Sequence, residues 1–282
     1  MHLDVGELNA FYGTPLGRTA RGVIAGELSQ MWPTARAERV LGLGHATPYL
    51  PPFMAEAERV CAIMPAVEGI TRWPSDGPNQ AALAYEDHLP LPDNSFDKVL
   101  LIHLLEVTRD PHALLREVWR VLMPQGQLIV FVPYRSGAWA RTDGTPFGLG
   151  RPFSRKQLAA LLSDAGLEPC AERRLLYVPP SRRRFILGST RAWEEFGRAV
   201  LPRFAGLVAM EAKKVMVRGI PVKPRGLRFA VPGLAVPKPV GGVSASRAFE
   251  GPAKMPRHSH RVSAAERTPL ARPKGSKTTR AR

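Results

Sequence analysis

The stretch from Lys98 to Val132 constrains this chain more than any other part of it. Lys98–Ile102 (Lys-Val-Leu-Leu-Ile) is a short apolar run of the kind that forms a strand buried on both faces. Pro111 then opens a helix at its first turn, where a missing N–H costs no hydrogen bond. Leu114, Leu115, Val118, Val121 and Leu122 share one face of that helix, and Pro124-Gln125-Gly126 ends it. Gln127–Val132 is a second buried strand. Strand, helix and strand at this spacing form a βαβ unit, which requires a parallel sheet with a right-handed crossover.

The same alternation extends in both directions, so the chain reads as α/β. Val23, Ile24, Leu28 and Met31 recur at helical steps until Pro33 stops them. Arg39–Gly44 is a short buried strand running into a glycine, a short helix is expected around Pro52–Ala57, and Val60–Met64 is another strand. Pro65, Pro74, Gly77 and Pro78 leave residues 65–79 mostly loop. Ala81–Tyr85 suits a strand. Ser154 caps a helix striped by Leu158, Leu161, Leu162 and Ala165 and closed by Gly166. Arg174–Val178 and Leu207–Val217 are expected as late strands, with a helix over Thr190–Val200 between them.

The net charge of +16 is not spread evenly. Residues 219–282 hold fourteen Lys and Arg against Glu250 and Glu266, a net of +12, which leaves +4 for residues 1–218. Nine prolines, seven glycines and two aromatics (Phe229 and Phe249) in that stretch cannot bury enough apolar area to offset chain entropy. The expectation is a folded domain over 1–218 and a disordered basic Pro-rich tail over 219–282. Such a tail suits non-specific contact with nucleic acid or another anionic partner, without aromatics to stack bases. The run Arg182-Arg183-Arg184 reads as a solvated turn or as a nucleic-acid contact. Cys61 and Cys170 sit among apolar neighbours without metal-ligand spacing, so both are expected as buried, reduced thiols and no metal is implied. The acids near Met1 do not suit a secretory signal, and no apolar run approaches the ~18 residues of a membrane span. A soluble cytoplasmic protein is expected.

The run Leu89-Pro-Leu-Pro-Asp-Asn-Ser-Phe-Asp-Lys-Val-Leu-Leu-Ile-His103-Leu-Leu-Glu106 continues through Asp110-Pro111, Leu115-Arg116-Glu117-Val118, Arg120-Val121-Leu122, Pro124 and Gly126. It resembles the S-adenosylmethionine-dependent methyltransferases, particularly the broad type 11 group, and weaker agreement in spacing covers roughly residues 15–217. The resemblance implies a class I, Rossmann-like fold: a mostly parallel seven-stranded sheet flanked by helices, with S-adenosyl-L-methionine at the carboxyl ends of the strands. It implies a methyl acceptor of unidentified class. Cofactor contacts would come from Gly42, Gly44, His45 and Ala46 after the first strand and Met64 after the second. Tyr85, Glu86 and Asp87 would contribute after the third strand, and His103 after the fourth.

Several of these residues depart from the family's pattern. The first strand of the family ends acid–apolar–Gly–x–Gly–x–Gly; here the run is Gly42-Leu43-Gly44-His45-Ala46-Thr47-Pro48. Met64 stands where the family has the acid that holds the ribose hydroxyls, and Tyr85 where an Asp meets the adenine, with Glu86 and Asp87 adjacent. A hydrogen bond to a charged partner is worth roughly 1.5–3 kcal/mol. Loss of the ribose carboxylate alone therefore weakens binding about 10- to 150-fold. Three readings stay open: a methyltransferase with an altered cofactor site, a non-catalytic relative that uses the fold for binding or regulation, and a nucleic-acid- or membrane-surface-binding protein in which the basic tail dominates. His103 and Glu106 are either a structural pair or ligand contacts, and no catalytic residue is assigned. The connection Tyr134–Phe153 is either a binding loop or a surface loop with docked aromatics.

Overall fold

The computed structural model describes residues 4–181 and 183–216. The expected tail over 219–282 and Arg182 of the arginine run lie outside the described residues.

Two helices lead the chain. Asp4 caps α1 (Val5–Gly13) in a capping box with Glu7, and Thr14 caps α2 (Pro15–Met31), whose proline occupies the first turn. Seven strands follow: β1 (Arg39–Gly44), β2 (Arg59–Pro65), β3 (Ala81–Ala84), β4 (Phe96–Ile102), β5 (Leu122–Pro133), β6 (Leu167–Leu175) and β7 (Leu207–Lys214). Between them lie α3 (Pro111–Val121), α4 (Arg155–Asp164), α5 (Arg184–Gly188) and α6 (Thr190–Val200). The sheet order is β3-β2-β1-β4-β5-β7-β6. β1 to β5 pair in parallel, and β7 runs antiparallel to both β5 and β6. β6 therefore points the same way as β5, and its carboxyl end reaches the same sheet edge as those of β1, β2 and β4.

Alternation along the strands divides the core into two layers. Val40, Leu100, Ile102, Ile129, Phe131 and Ala209 face the layer that holds α2, with Ile24 and Leu28. Leu41, Leu43, Val99, Leu101, Leu128 and Val130 face the opposite layer with Leu114, Leu115 and Val118 of α3 and Leu158 and Leu162 of α4. A sheet covered on both faces explains why its central strands are continuous apolar runs.

The structure corrects several expectations. The segment around Pro52–Ala57 is not an α-helix: Thr47–Tyr49 and Pro51–Phe53 are 3-10 turns, because three prolines interrupt any longer hydrogen-bonded run. Leu122 begins β5 instead of ending α3, and the β4–β5 register jumps from Phe96↔Leu122 to Lys98↔Gln127 around Pro124-Gln125-Gly126. β3 stops at Ala84, and Tyr85 forms only an isolated bridge to His88. The strand expected over Arg174–Val178 lies earlier, at Leu167–Leu175, and the last strand ends at Lys214. The cysteines are not buried: Cys61 is half-buried and Cys170 is exposed, on the sheet-edge strand β6.

Candidate functional site

From β1 the chain moves outward through β2 to β3, then returns to place β4 on the other side of β1. The crevice outside the strand ends at such a reversal is where open α/β sheets bind ligands. Gly44 ends β1 with φ of 74°. A Cβ there would lie 2.3 Å from the Ile102 carbonyl oxygen and 3.0 Å from Leu104 Cβ, so only glycine lets β1 turn this tightly against β4. The next N–H, that of His45, donates to the same Ile102 carbonyl at 3.0 Å. Gly42 is equally hemmed in by the chain itself, with Ala46 Cβ 2.7 Å and Leu50 Cδ1 2.8 Å from where its own Cβ would stand.

A buried polar cluster occupies the ends of β1 and β4. His103, at φ of 55°, places Nε2 2.7 Å from the Tyr12 hydroxyl and Nδ1 3.2 Å from Glu106 Oε1. Both ring nitrogens of His103 thus have a partner, a hydroxyl on one side and a carboxyl oxygen on the other. The Tyr12 ring stacks on His45 at 5.2 Å and 13°, and Phe147 packs on His103 at 4.8 Å. All five residues are buried. Burial, aided by the neighbouring His103, lowers the His45 pKa to about 3, and burial raises that of Tyr12. Two polar atoms here have no hydrogen-bond partner: Glu106 Oε2 and His45 Nε2.

Carboxyl groups collect beside this cluster. Glu68, just past β2, is 5% exposed, and its pKa rises to about 8 through burial first, then Glu106 and Glu86. Its carbonyl accepts the Val5 N–H at 2.9 Å, which ties the start of α1 to the loop after β2. Glu86 accepts from the Thr108 hydroxyl at 3.2 Å. Three acids from the ends of β2, β3 and β4 thus influence one another, although among the described residues no group of acids, histidines or cysteines is arranged to hold a metal ion.

Of the residues singled out from sequence, Gly42, Gly44, His45, Ala46, Met64 and His103 come together at the buried ends of β1, β2 and β4. Met64 is buried and its sulfur accepts the Thr71 N–H at 3.4 Å. Glu86 is half-buried beside them, while Tyr85 and Asp87 are exposed. Tyr12 and Glu68 are not marked by the sequence reading, whereas Phe147 lies in the Tyr134–Phe153 connection that it singled out. Glu68 is the first acid after Met64, four residues on, in a Pro-rich connection. The Tyr134–Phe153 connection docks its aromatics inward: Trp139 and Phe147 are buried, and the Trp139 indole donates to the Val178 carbonyl at 2.7 Å.

This geometry suits S-adenosylmethionine in part. The carboxyls of Glu68, Glu86 and Glu106 are hydrogen-bonding groups of the kind its ribose and amino groups need, and the orphaned Glu106 Oε2 and His45 Nε2 are unsatisfied in the chain alone. The glycine-lined approach after β1 is filled by the chain's own atoms.

Residues 41–130 match the family described as "Methyltransferase domain". Uncharacterized proteins of Mycobacterium tuberculosis (strain ATCC 25618 / H37Rv) and Mycobacterium bovis are each 29% identical over 139 residues, covering 46% of this chain and 46% of theirs. The chain thus spans about half the length of the curated relatives it matches. Among solved structures, an S-adenosylmethionine-dependent methyltransferase from Mesorhizobium loti aligns with a TM-score of 0.52 at 16% identity, over 67% of this chain and 96% of that one. A SAM-dependent methyltransferase from Thermotoga maritima aligns at 0.51 and 18% identity, over 74% and 95%. At these identities the likeness is one of fold. Residues 41–130 are similar to a methyltransferase domain, and the chain has the fold of the class I S-adenosylmethionine-dependent methyltransferases.

Proposed function

We propose that this chain transfers a methyl group from S-adenosylmethionine to an acceptor of unidentified class, with the cofactor held at the carboxyl ends of β1, β2 and β4. The observation that carries this reading is the convergence of Glu68, Glu86 and Glu106 beside His103, with Glu106 Oε2 and His45 Nε2 unpartnered. The cofactor supplies an electrophilic methyl group on a sulfonium. Glu68, in place of the acid missing at Met64, would accept from the ribose hydroxyls, and Gly42, Gly44, His45 and Ala46 would line the turn beside them. Tyr85, Glu86 and Asp87 would hold the adenine. Tyr12 and Phe147 exclude water from His103, whose ring is held by Glu106. Methyl transfer to a good nucleophile rests on alignment, so no base is assigned.

The second reading, a non-catalytic binding or regulatory protein on this fold, is favoured by the Tyr12–His45 stack and by the Ile102 carbonyl that fills the space beside Gly44. Calorimetric titration of S-adenosylmethionine and S-adenosylhomocysteine separates the two. Saturable binding, weakened about tenfold or more by Glu68→Gln (about 1.4 kcal/mol), supports the first. No heat at millimolar ligand leaves the second.

A further inference from the structure

We propose that α6 and the turn Pro202–Phe204 dock this chain on an anionic membrane surface, with Phe196, Val200, Leu201 and Phe204 entering the acyl boundary and arginines meeting lipid phosphates. The inner face of α6 is fixed to the domain. Glu194 accepts the N–H groups of Leu176 (3.0 Å), Tyr177 (2.6 Å) and Val178 (3.2 Å). At Gly197 a Cβ would lie 2.4 Å from the Tyr177 side chain, so the helix rests directly on that ring. With positions 194 and 197 turned inward, helical spacing turns Ala192, Glu195, Phe196 and Ala199 outward and leaves Val200 on the flank. Phe196 is 52% exposed, Val200 58%, Leu201 40% and Phe204 60%. Four large apolar side chains open to solvent within nine residues are more than scattered surface apolarity accounts for.

The charges around this face identify its occupant. Arg191, Arg198 and Arg203 are exposed, and the exposed acid of α6, Glu195, is held by Arg191 at 2.8 Å. A cavity of about 440 Å³ adjoins the helix, lined by Arg155, Arg173, Arg174 and Arg198 with Glu172; Arg173 and Arg198 also pair with the buried Glu27 at 3.4 and 3.3 Å, so four arginines meet two carboxylates. Arg155 holds Glu172 at 2.5 Å, and Arg174 Nη1 donates to the Pro202 carbonyl at 2.8 Å, which joins the cavity to the apolar turn. A second copy of this chain would bring the same arginines and a net charge of +16, and residues 219–282 bring +12, so neither complements the face. A surface of anionic phospholipid offers phosphates and apolar depth together, which is what a basic amphipathic helix binds.

The test is co-sedimentation of the full chain with phosphatidylglycerol–phosphatidylcholine vesicles and with pure phosphatidylcholine vesicles, at low salt and at about 1 M salt, where the screening length falls to about 3 Å. The basic tail binds anionic vesicles at low salt on charge alone, so the high-salt arm isolates α6. Wild type is expected to favour the anionic vesicles and to keep measurable binding at high salt. The double variant F196S/F204S, whose altered side chains are exposed and whose melting temperature is expected to stay unchanged, loses at least about tenfold of that retained binding. Equal high-salt binding by wild type and variant overturns the proposal, as does loss of all binding by both. A wild-type dimer in analytical ultracentrifugation that the variant lacks would make the face an interface between copies. Calorimetric binding of inorganic phosphate, abolished by R174Q, in a protein that ignores vesicles would assign the cavity to a free anion.

Discussion

Replacing Gly44 with alanine tests whether the turn after β1 is built for the chain or for a ligand. The residue sits at φ of 74°, and the added Cβ would stand 2.3 Å from the Ile102 carbonyl oxygen and 3.0 Å from Leu104 Cβ. The left-handed conformation costs an L-residue about 1–2 kcal/mol. Forcing backbone atoms apart in a packed region adds about 1–3 kcal/mol. The expected loss is therefore about 2–5 kcal/mol, with β1 and β4 pushed apart where Gly44 pairs with Ile102. For a domain of this size each kcal/mol lowers the melting temperature by about 2–4 °C, so a fall of roughly 4–20 °C is expected by circular dichroism. A variant that melts with the wild type and differs only in S-adenosylmethionine affinity would refute the reasoning and make the glycine a ligand-clearance residue.

Two further substitutions follow from the buried carboxyls. The Glu68 pKa, raised from an ordinary 4.5 to about 8, lies above its unfolded value, so between about pH 4.5 and 8 the unfolded chain gives up a proton that the folded chain keeps. Stability should fall as pH rises through that window, by at most about 1.4 kcal/mol per unit, and Glu68→Gln should flatten the dependence of melting temperature on pH there. Glu194→Ala strips the acceptor from three backbone N–H groups at once. At about 1–3 kcal/mol for each buried donor left unsatisfied, a loss of about 3 kcal/mol or more is expected in urea unfolding, with Glu194→Gln recovering part of it.

The parts of the fold legible in the sequence are those where a run of residues shares one environment. β1, β4 and the regular part of β5 are covered on both faces, so their apolar runs mark them directly. β6 is an edge strand carrying Glu168, Glu172, Arg173 and Arg174, and its alternation blurs into charge, which hides its position in the sequence. Burial of Cys170 cannot be read from its sequence neighbours because successive side chains on a strand point to opposite faces. The site divides in the same way. Gly44, His45 and His103 stand at strand ends and are found by position, whereas Tyr12 reaches the site from a helix ninety-one residues away in sequence from its partner His103. Glu68 lies in a loop whose prolines and glycines mark only irregularity, and its burial depends on the contact between that loop and α1.

The turns Thr47–Tyr49 and Pro51–Phe53 have a consequence for how this crevice changes over generations. Pro48, Pro51 and Pro52 have no N–H to offer, the N–H groups of Tyr49 and Phe53 are spent on Ala46 and Leu50 within the turns, and no helix begins behind Gly44 to aim a row of amides and a dipole at a bound anion. Backbone donors are present whatever side chains a lineage acquires, so a site built on them resists drift in ligand preference. On the proposed reading, recognition would pass to side chains such as His45, Glu68 and Glu106. Each of those is one substitution from a different charge or shape, so on that reading the preference of this crevice is set by side chains and not by the backbone beneath it.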